Sequence, residues 1–230
     1  IGLRNLDVIM GLENRIVYDI VDVIEGHCKL RQALIRDKRT DNLYLLPAAQ
    51  TRDKNAITPE QIKDVVVQLC KNHDFVLIDC PAGIEQGFKN AIAGADHAVI
   101  VTTPEVSAVR DADRIIGMVE SAGMEPPTLI VNRIRPHMVE KGDMMEVEDV
   151  LEILAIDLLG VIPDDERVVV TSNRGEPALL DKTSIASQAY QNIALRIMGE
   201  EVPLMDIRKK PSKIGRLLSG IKTTLNKKII

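Results

Sequence analysis

The chain has 230 residues, 45% of them hydrophobic, with aromatics at 2% and no Trp. That length suits one α/β domain whose core is filled by Leu, Ile, Val and Ala. Three scattered cysteines (Cys28, Cys70, Cys80), no CxxC and four histidines without ligand spacing exclude a disulfide framework and a zinc site, and fit a reducing cytoplasm. No apolar run approaches the roughly 20 residues of a membrane span, and no segment reads as a signal peptide. The net charge of −5 is the balance of a body at −13 (residues 1–206) and a tail at +8 (residues 207–230, eight basic and no acidic residues). So uneven a distribution gives the tail a partner of its own.

In chain order, IGLRNLD (1–7) reads as a loop leading into a helix. It starts on Ile1 inside what looks like a motif, so we expect the chain to be cut at its N-terminus. NLYLL (42–46) has the apolar length of a buried parallel strand. TPEQIKDVVVQLC (58–70) predicts a helix with Thr58 as N-cap, Pro59 at the first helical position and Gln61 closing a capping box. FVLID (75–79) predicts a buried strand that ends on Asp79 and opens into a Gly-containing loop. HAVIVTT (97–103) is the next strand. The helix SAVRDADRIIGMVESAG (107–123) follows, with Gly123 as its stop. TLIVNR (128–133), EVEDVLEILAI (146–156), LLGVIP (158–163) and SIASQAYQNIALRIMG (184–199) read as strand, helix, strand and helix. This alternation predicts a doubly wound, mostly parallel α/β sheet with right-handed crossovers. The composition breaks near residue 206, which separates a domain over 1–206 from a tail over 207–230.

Ligands of such sheets bind beyond the carboxyl ends of the strands. The polar residues there are Asp79, Thr102 to Glu105, Asn132 with Arg133, and Pro163 to Glu166. A phosphate loop of the G-x-x-x-x-G-K-[ST] type is not found. The nearest match, GRLLSGIKTT (215–224), has Ile221 between Gly220 and Lys222 and no strand before it, so its N–H groups have no turn to aim them at a phosphate. A strand, phosphate loop and helix need roughly 30 residues or more, which a lost N-terminal piece would hold. On the residues alone, Asp79 is equally a turn-capping carboxylate or a magnesium holder. Cys80 reads as a small buried residue. Asn132 offers both a donor and an acceptor, as reading a base edge requires.

In the tail, Ile214, Leu217, Leu218, Ile221 and Leu225 fall on one helical stripe, with Lys213, Arg216 and Lys222 beside or opposite it. Such a helix lies in the headgroup plane of an anionic membrane. Docking on its own domain and binding nucleic acid are the other uses of the tail, and the apolar stripe is wasted on phosphates.

Five segments then carry a resemblance: IGLRNLDVIMGLENRIVYDIVDVIEG (1–26), LLPAAQTRDK (45–54), IDCPAGIE (78–85), TTPEVSAVRDADRIIG (102–117) and GVIPDDERVVVTSNRGEP (160–177). In this order they resemble the MinD group of the deviant Walker A (ParA/MinD) ATPase family, over nearly the whole chain. The glycine-rich phosphate loop of that family, with its two lysines, is not in the 230 residues. The resemblance implies a P-loop NTPase type of sheet lacking its first βαβ unit, with ATP and Mg²⁺ as cofactors. It implies Asp79 as the catalytic, metal-holding carboxylate. Asn132, Arg133, Pro163, Asp164 and Asp165 would surround the base, and Asn5 and Asp7 would belong to a switch segment. Glu105, Ser107, Arg110 and Asp111 would serve dimer and partner contacts. The implied partners are a second copy in the ATP state, MinC, and MinE or another topological regulator. The implied place is the inner face of the cytoplasmic membrane, held peripherally, where the protein sets the division septum. The parent would hydrolyse ATP, and the 230 residues alone would not. Two other readings stay open. A ParA-like DNA-partitioning ATPase requires a basic body, whereas this one is acidic and no nucleic acid is expected. The other is an inactive membrane-bound scaffold.

Overall fold

The computed structural model describes residues 5–49, 57–81 and 83–205. Residues 5–49 hold three short helices, α1 (Asn5–Ile9), α2 (Ile20–Ile24) and α3 (Leu30–Ala33), and a two-residue antiparallel ladder of β1 (Ile35–Arg36) with β2 (Tyr44–Leu45). The expected parallel strand over 42–46 is therefore this short antiparallel piece. Buried Asp37 organises the region. Arg39 donates to its carboxylate and also to the carbonyls of Met10 (2.8 Å) and Gly175 (3.0 Å). The guanidinium at Asp37 holds that carboxyl below the usual carboxylate range. Gly11 and Gly175 both have positive φ and touch each other, and a Cβ on Gly11 would sit 3.0 Å from the Gly175 carbonyl oxygen.

Helix α4 (Pro59–Leu69) starts as the sequence predicts: Thr58 accepts from the Gln61 N–H and Gln61 accepts from the Thr58 N–H. α5 (Gln86–Ala93) packs against it. A parallel sheet follows, built of β3 (Val99–Thr102), β4 (Thr128–Ile134) and β5 (Leu158–Pro163) in that order across the sheet. The connections are α6 (Val106–Ser121), a one-turn α7 (Pro136–Val139) and α8 (Val147–Leu154). After β5 come α9 (Glu166–Ser172) and α10 (Ile185–Ile197).

Alternation along the strands sends side chains to two cores. Ile100, Leu129, Val131 and Val161 meet Val109, Ala112 and Ile116 of α6 and Val150 and Leu154 of α8. Ile130 and Ile162 point the other way, onto Ala186, Ala189 and Ile193 of α10. The sheet is thus wound on both faces, as expected. Gly160 lets α10 come close, because a Cβ there would lie 2.4 Å from Ile193 Cγ1.

One expected strand does not form. Residues 75–79 join no ladder among the described residues, and Phe75 and Leu77 are 56% and 84% exposed. The apolar run encodes a strand buried on both faces, and no described neighbour pairs with it or covers both sides. The tail positions Lys213, Ile214, Arg216, Leu217, Leu218, Ile221, Lys222 and Leu225 lie outside the described residues.

Candidate functional site

The carboxyl ends of β3, β4 and β5 form one rim, because Thr102 is in register with Val131 and Ile134 with Pro163. The register of β4 against β5 shifts between Val131 and Ile134. This irregularity takes Asn132 and Arg133 out of the regular ladder, as bulges at strand ends near sites often do. Arg133 has φ +58, a left-handed conformation that costs a non-glycine residue on the order of 1–3 kcal/mol. The carboxamide of Asn132 accepts from the Arg133 N–H at 2.9 Å and braces the turn.

The next loop is bound to this one. Asp164 receives the guanidinium Nε of Arg133 (3.4 Å) and of Arg135, and its own N–H donates to the Ile134 carbonyl at 2.9 Å. The Arg135 hydrogen bond, followed by Arg133, holds the Asp164 carboxyl below its ordinary range. Asp165 has structural partners. It caps α9 through the Arg167 N–H (2.9 Å) and accepts from the Ser184 hydroxyl (2.7 Å). Burial pushes its carboxyl up, and the hydrogen bonds from Arg167 and Ser184 outweigh that and lower it. Pro163 is buried at the end of β5.

The structure brings Asn132, Arg133, Pro163, Asp164 and Asp165 together as two linked loops. Arg135, which the sequence reading did not single out, is the residue that ties them most directly. Its signal was available in the Arg-Ile-Arg run that closes β4.

Asp79 ends the unpaired segment 75–79 and is exposed. Its carboxylate is a hard oxygen donor, the kind Mg²⁺ takes together with phosphate oxygens and water. No group of three or more His, Cys, Asp or Glu side chains suited to a metal occurs among the described residues. A magnesium ion here would therefore draw its other ligands from phosphate and water, which fits P-loop chemistry. Beside Asp79, burial and the aspartate charge push the Cys80 thiol up, away from a nucleophilic thiolate.

Asp7 is buried in α1 and accepts from the Val8 N–H at 2.8 Å, while Asn5 is exposed. Glu105, Ser107, Arg110 and Asp111 are all exposed at the start of α6, opposite its buried face of Val109, Ala112, Ile116 and Val119. Helix α6 begins at Val106, one residue earlier than predicted, with Glu105 at the N-cap position.

Comparison with known proteins decides the family. A ParA family model, described as NUBPL iron-transfer P-loop NTPase, matches residues 54–198. The septum site-determining protein MinD of Bacillus subtilis is 60% identical over 212 residues, which cover 91% of this chain and 79% of that protein. The chain belongs to the MinD family.

The MinD of a MinC:MinD cell division complex from Aquifex aeolicus superposes with a TM-score of 0.82 at 49% identity, covering 89% of this chain and 83% of that one. A MinD from Pyrococcus horikoshii, solved with Mg-ADP, gives 0.74 at 28% identity over 85% of this chain and 79% of that one. The doubly wound sheet is accordingly the P-loop NTPase sheet of MinD.

Proposed function

We propose that the chain is the larger part of a membrane-associated MinD-type ATPase that helps to place the division septum. The observation that carries this is the 60% identity to a septum site-determining MinD across nine-tenths of the chain. Support for nucleotide use comes from the Mg-ADP bound by the Pyrococcus relative and from the rim of Asp79, Asn132 and Arg133. Asp79 would hold Mg²⁺ against the phosphates. The amide of Asn132 and the guanidinium of Arg133 would face the base, fixed by Asp164. When bound, Mg²⁺ supplies charge neutralisation for phosphoryl transfer. Asn5 and Asp7 would serve the switch.

ATP would drive dimerisation through surfaces that include Glu105, Ser107, Arg110 and Asp111, and the same region would recruit MinC and a MinE-like regulator. The MinC:MinD complex of the Aquifex relative supports the first partner. The 230 residues alone are not expected to hydrolyse ATP, because no phosphate loop occurs in their sequence. The tail would anchor the protein peripherally on the inner face of the cytoplasmic membrane. No helix among the described residues is long and apolar enough to cross a membrane. Each basic residue near an anionic surface contributes about 1 kcal/mol, and a dimer presents two tails, which raises avidity by roughly 10²–10⁴. The body, at −13, argues against DNA as the partner.

The test is co-sedimentation with anionic vesicles, using the chain joined to the segment that its relatives carry outside the match. Pelleting with Mg·ATP but not with Mg·ADP is expected. Equal pelleting with both would favour a constitutive scaffold, and none would return the question to DNA.

A further inference from the structure

Three unsatisfied surfaces lie around β3. Among the described residues this strand pairs only with β4, so its other edge is open. Its residues Val99 and Val101 are 42% and 59% exposed, while Ile100 and Thr102 between and after them are buried. Residues 75–79 run extended without a ladder, with Phe75 and Leu77 bare and Ile78 reaching the α4–α5 layer near Gly94, Ile62 and Val66. A cavity of about 720 Å³ flanks α10, lined in part by Ile9, Val168, Leu179, Tyr190, Leu195 and Met198.

Crossover handedness relates the three. Going from 75–79 through α5 to β3, and from β3 through α6 to β4, the chain advances across the sheet in one sense. Right-handed connections then put α5, α6 and α8 on one face, and the core shared by α6 and α8 agrees. Ile78 and Ile100 point to that face. By alternation Phe75, Leu77, Val99 and Val101 point to the opposite one, where α10 covers only β4 and β5. Two extended segments linked by a crossover, each with an open edge and a bare apolar side on the same face, leave room for one strand between them and one helix above it.

We propose that this surface is an acceptor site for a single strand–turn–helix segment, its strand seated in parallel between residues 75–79 and β3 and its helix laid beside α10. The strand must be apolar throughout, because it is covered on both faces. The helix must be amphipathic, with its apolar side on Val99, Val101, Leu77 and the α10 cavity. The turn falls beside Asp79 and Thr102, at the carboxyl ends of the flanking strands. About a fifth of the Bacillus relative lies outside the match, more than the roughly 30 residues such a segment needs. Docking rests on packing and pairing. Only the nucleotide step of the test rests on the function proposed above.

The test uses the part of the Bacillus relative outside the match, produced as a separate polypeptide alongside the 230-residue chain. The two should co-purify one to one. Amide exchange at 75–79 and 99–102 should slow by about tenfold or more, a free-energy gain of about 1.4 kcal/mol. Val101→Lys and Leu77→Lys change exposed side chains that support no described packing, so each variant should fold as before and lose capture by about tenfold. Unchanged exchange at both segments in the folded chain would overturn the proposal. So would a chain that is already dimeric with both segments protected, which would seat a second copy there. Loss of protection along α10 on deletion of residues 206–230 would also overturn it, by assigning the cavity to the tail. Slowed exchange without Mg·ATP binding would sustain the docking and count against the nucleotide reading.

Discussion

Asp164 shows what single residues do at this rim. One carboxylate accepts from two guanidiniums and thereby fixes the loop after β5 to the loop after β4. Asp79, a few strands away, has no such commitments that would keep it from a metal ion. In the chain joined to its relatives' additional segment, Asp79→Ala should abolish ATP hydrolysis in a phosphate-release assay. Wild-type turnover would remove Asp79 from the magnesium site. Asp181 has a different role. Hydrogen bonds from the Thr183 hydroxyl and N–H, then from Arg167, lower its carboxyl to about 2. The unfolded chain therefore takes up this proton first as pH falls. The contribution of Asp181 is complete above the ordinary carboxylate value and is lost as the pH drops towards about 2. Urea midpoints measured between about pH 5 and pH 2 should fall, and Asp181→Asn should flatten that fall.

At the scale of elements, closeness matters more than propensity. Helix α10 has only a modest apolar stripe, and it sits on the sheet because Gly160 leaves room for Ile193. Gly160→Ala should cost about 1–3 kcal/mol, the usual penalty for forcing an extra carbon into a packed site, seen as a lower urea midpoint with an unchanged slope. The capping box of α4 and the stop of α6 before Gly123 were legible in the sequence, because both depend on residues three or four apart. The antiparallel pairing of Tyr44–Leu45 was not, because its partner Ile35–Arg36 carries no strand signal of its own.

For the whole molecule, charge and amphipathicity divide the chain into an acidic folded body and a basic tail. Leu217→Glu should release the nucleotide-bound protein from anionic vesicles while leaving ATP binding intact, since it touches only the apolar stripe. Vesicle binding that survives this change would refute the tail as anchor. Rising salt should weaken the wild-type interaction, because basic residues supply part of it.

The sequence by itself determined the order of strands and helices, the caps, the basic tail and the carboxylate at Asp79. Each is written in local spacing or composition, and its physics is complete within a few residues. Tertiary structure alone decided that Arg135 and Asp164 lock two loops together, that Asp165 is engaged by Arg167 and Ser184, and that Asp37 and Arg39 tie residues 5–49 to Gly175. These contacts join residues far apart in the chain, where no periodicity reports on them. The same reason explains FVLID: its apolar residues call for a strand, and a strand forms its ladder only where neighbours supply the hydrogen bonds.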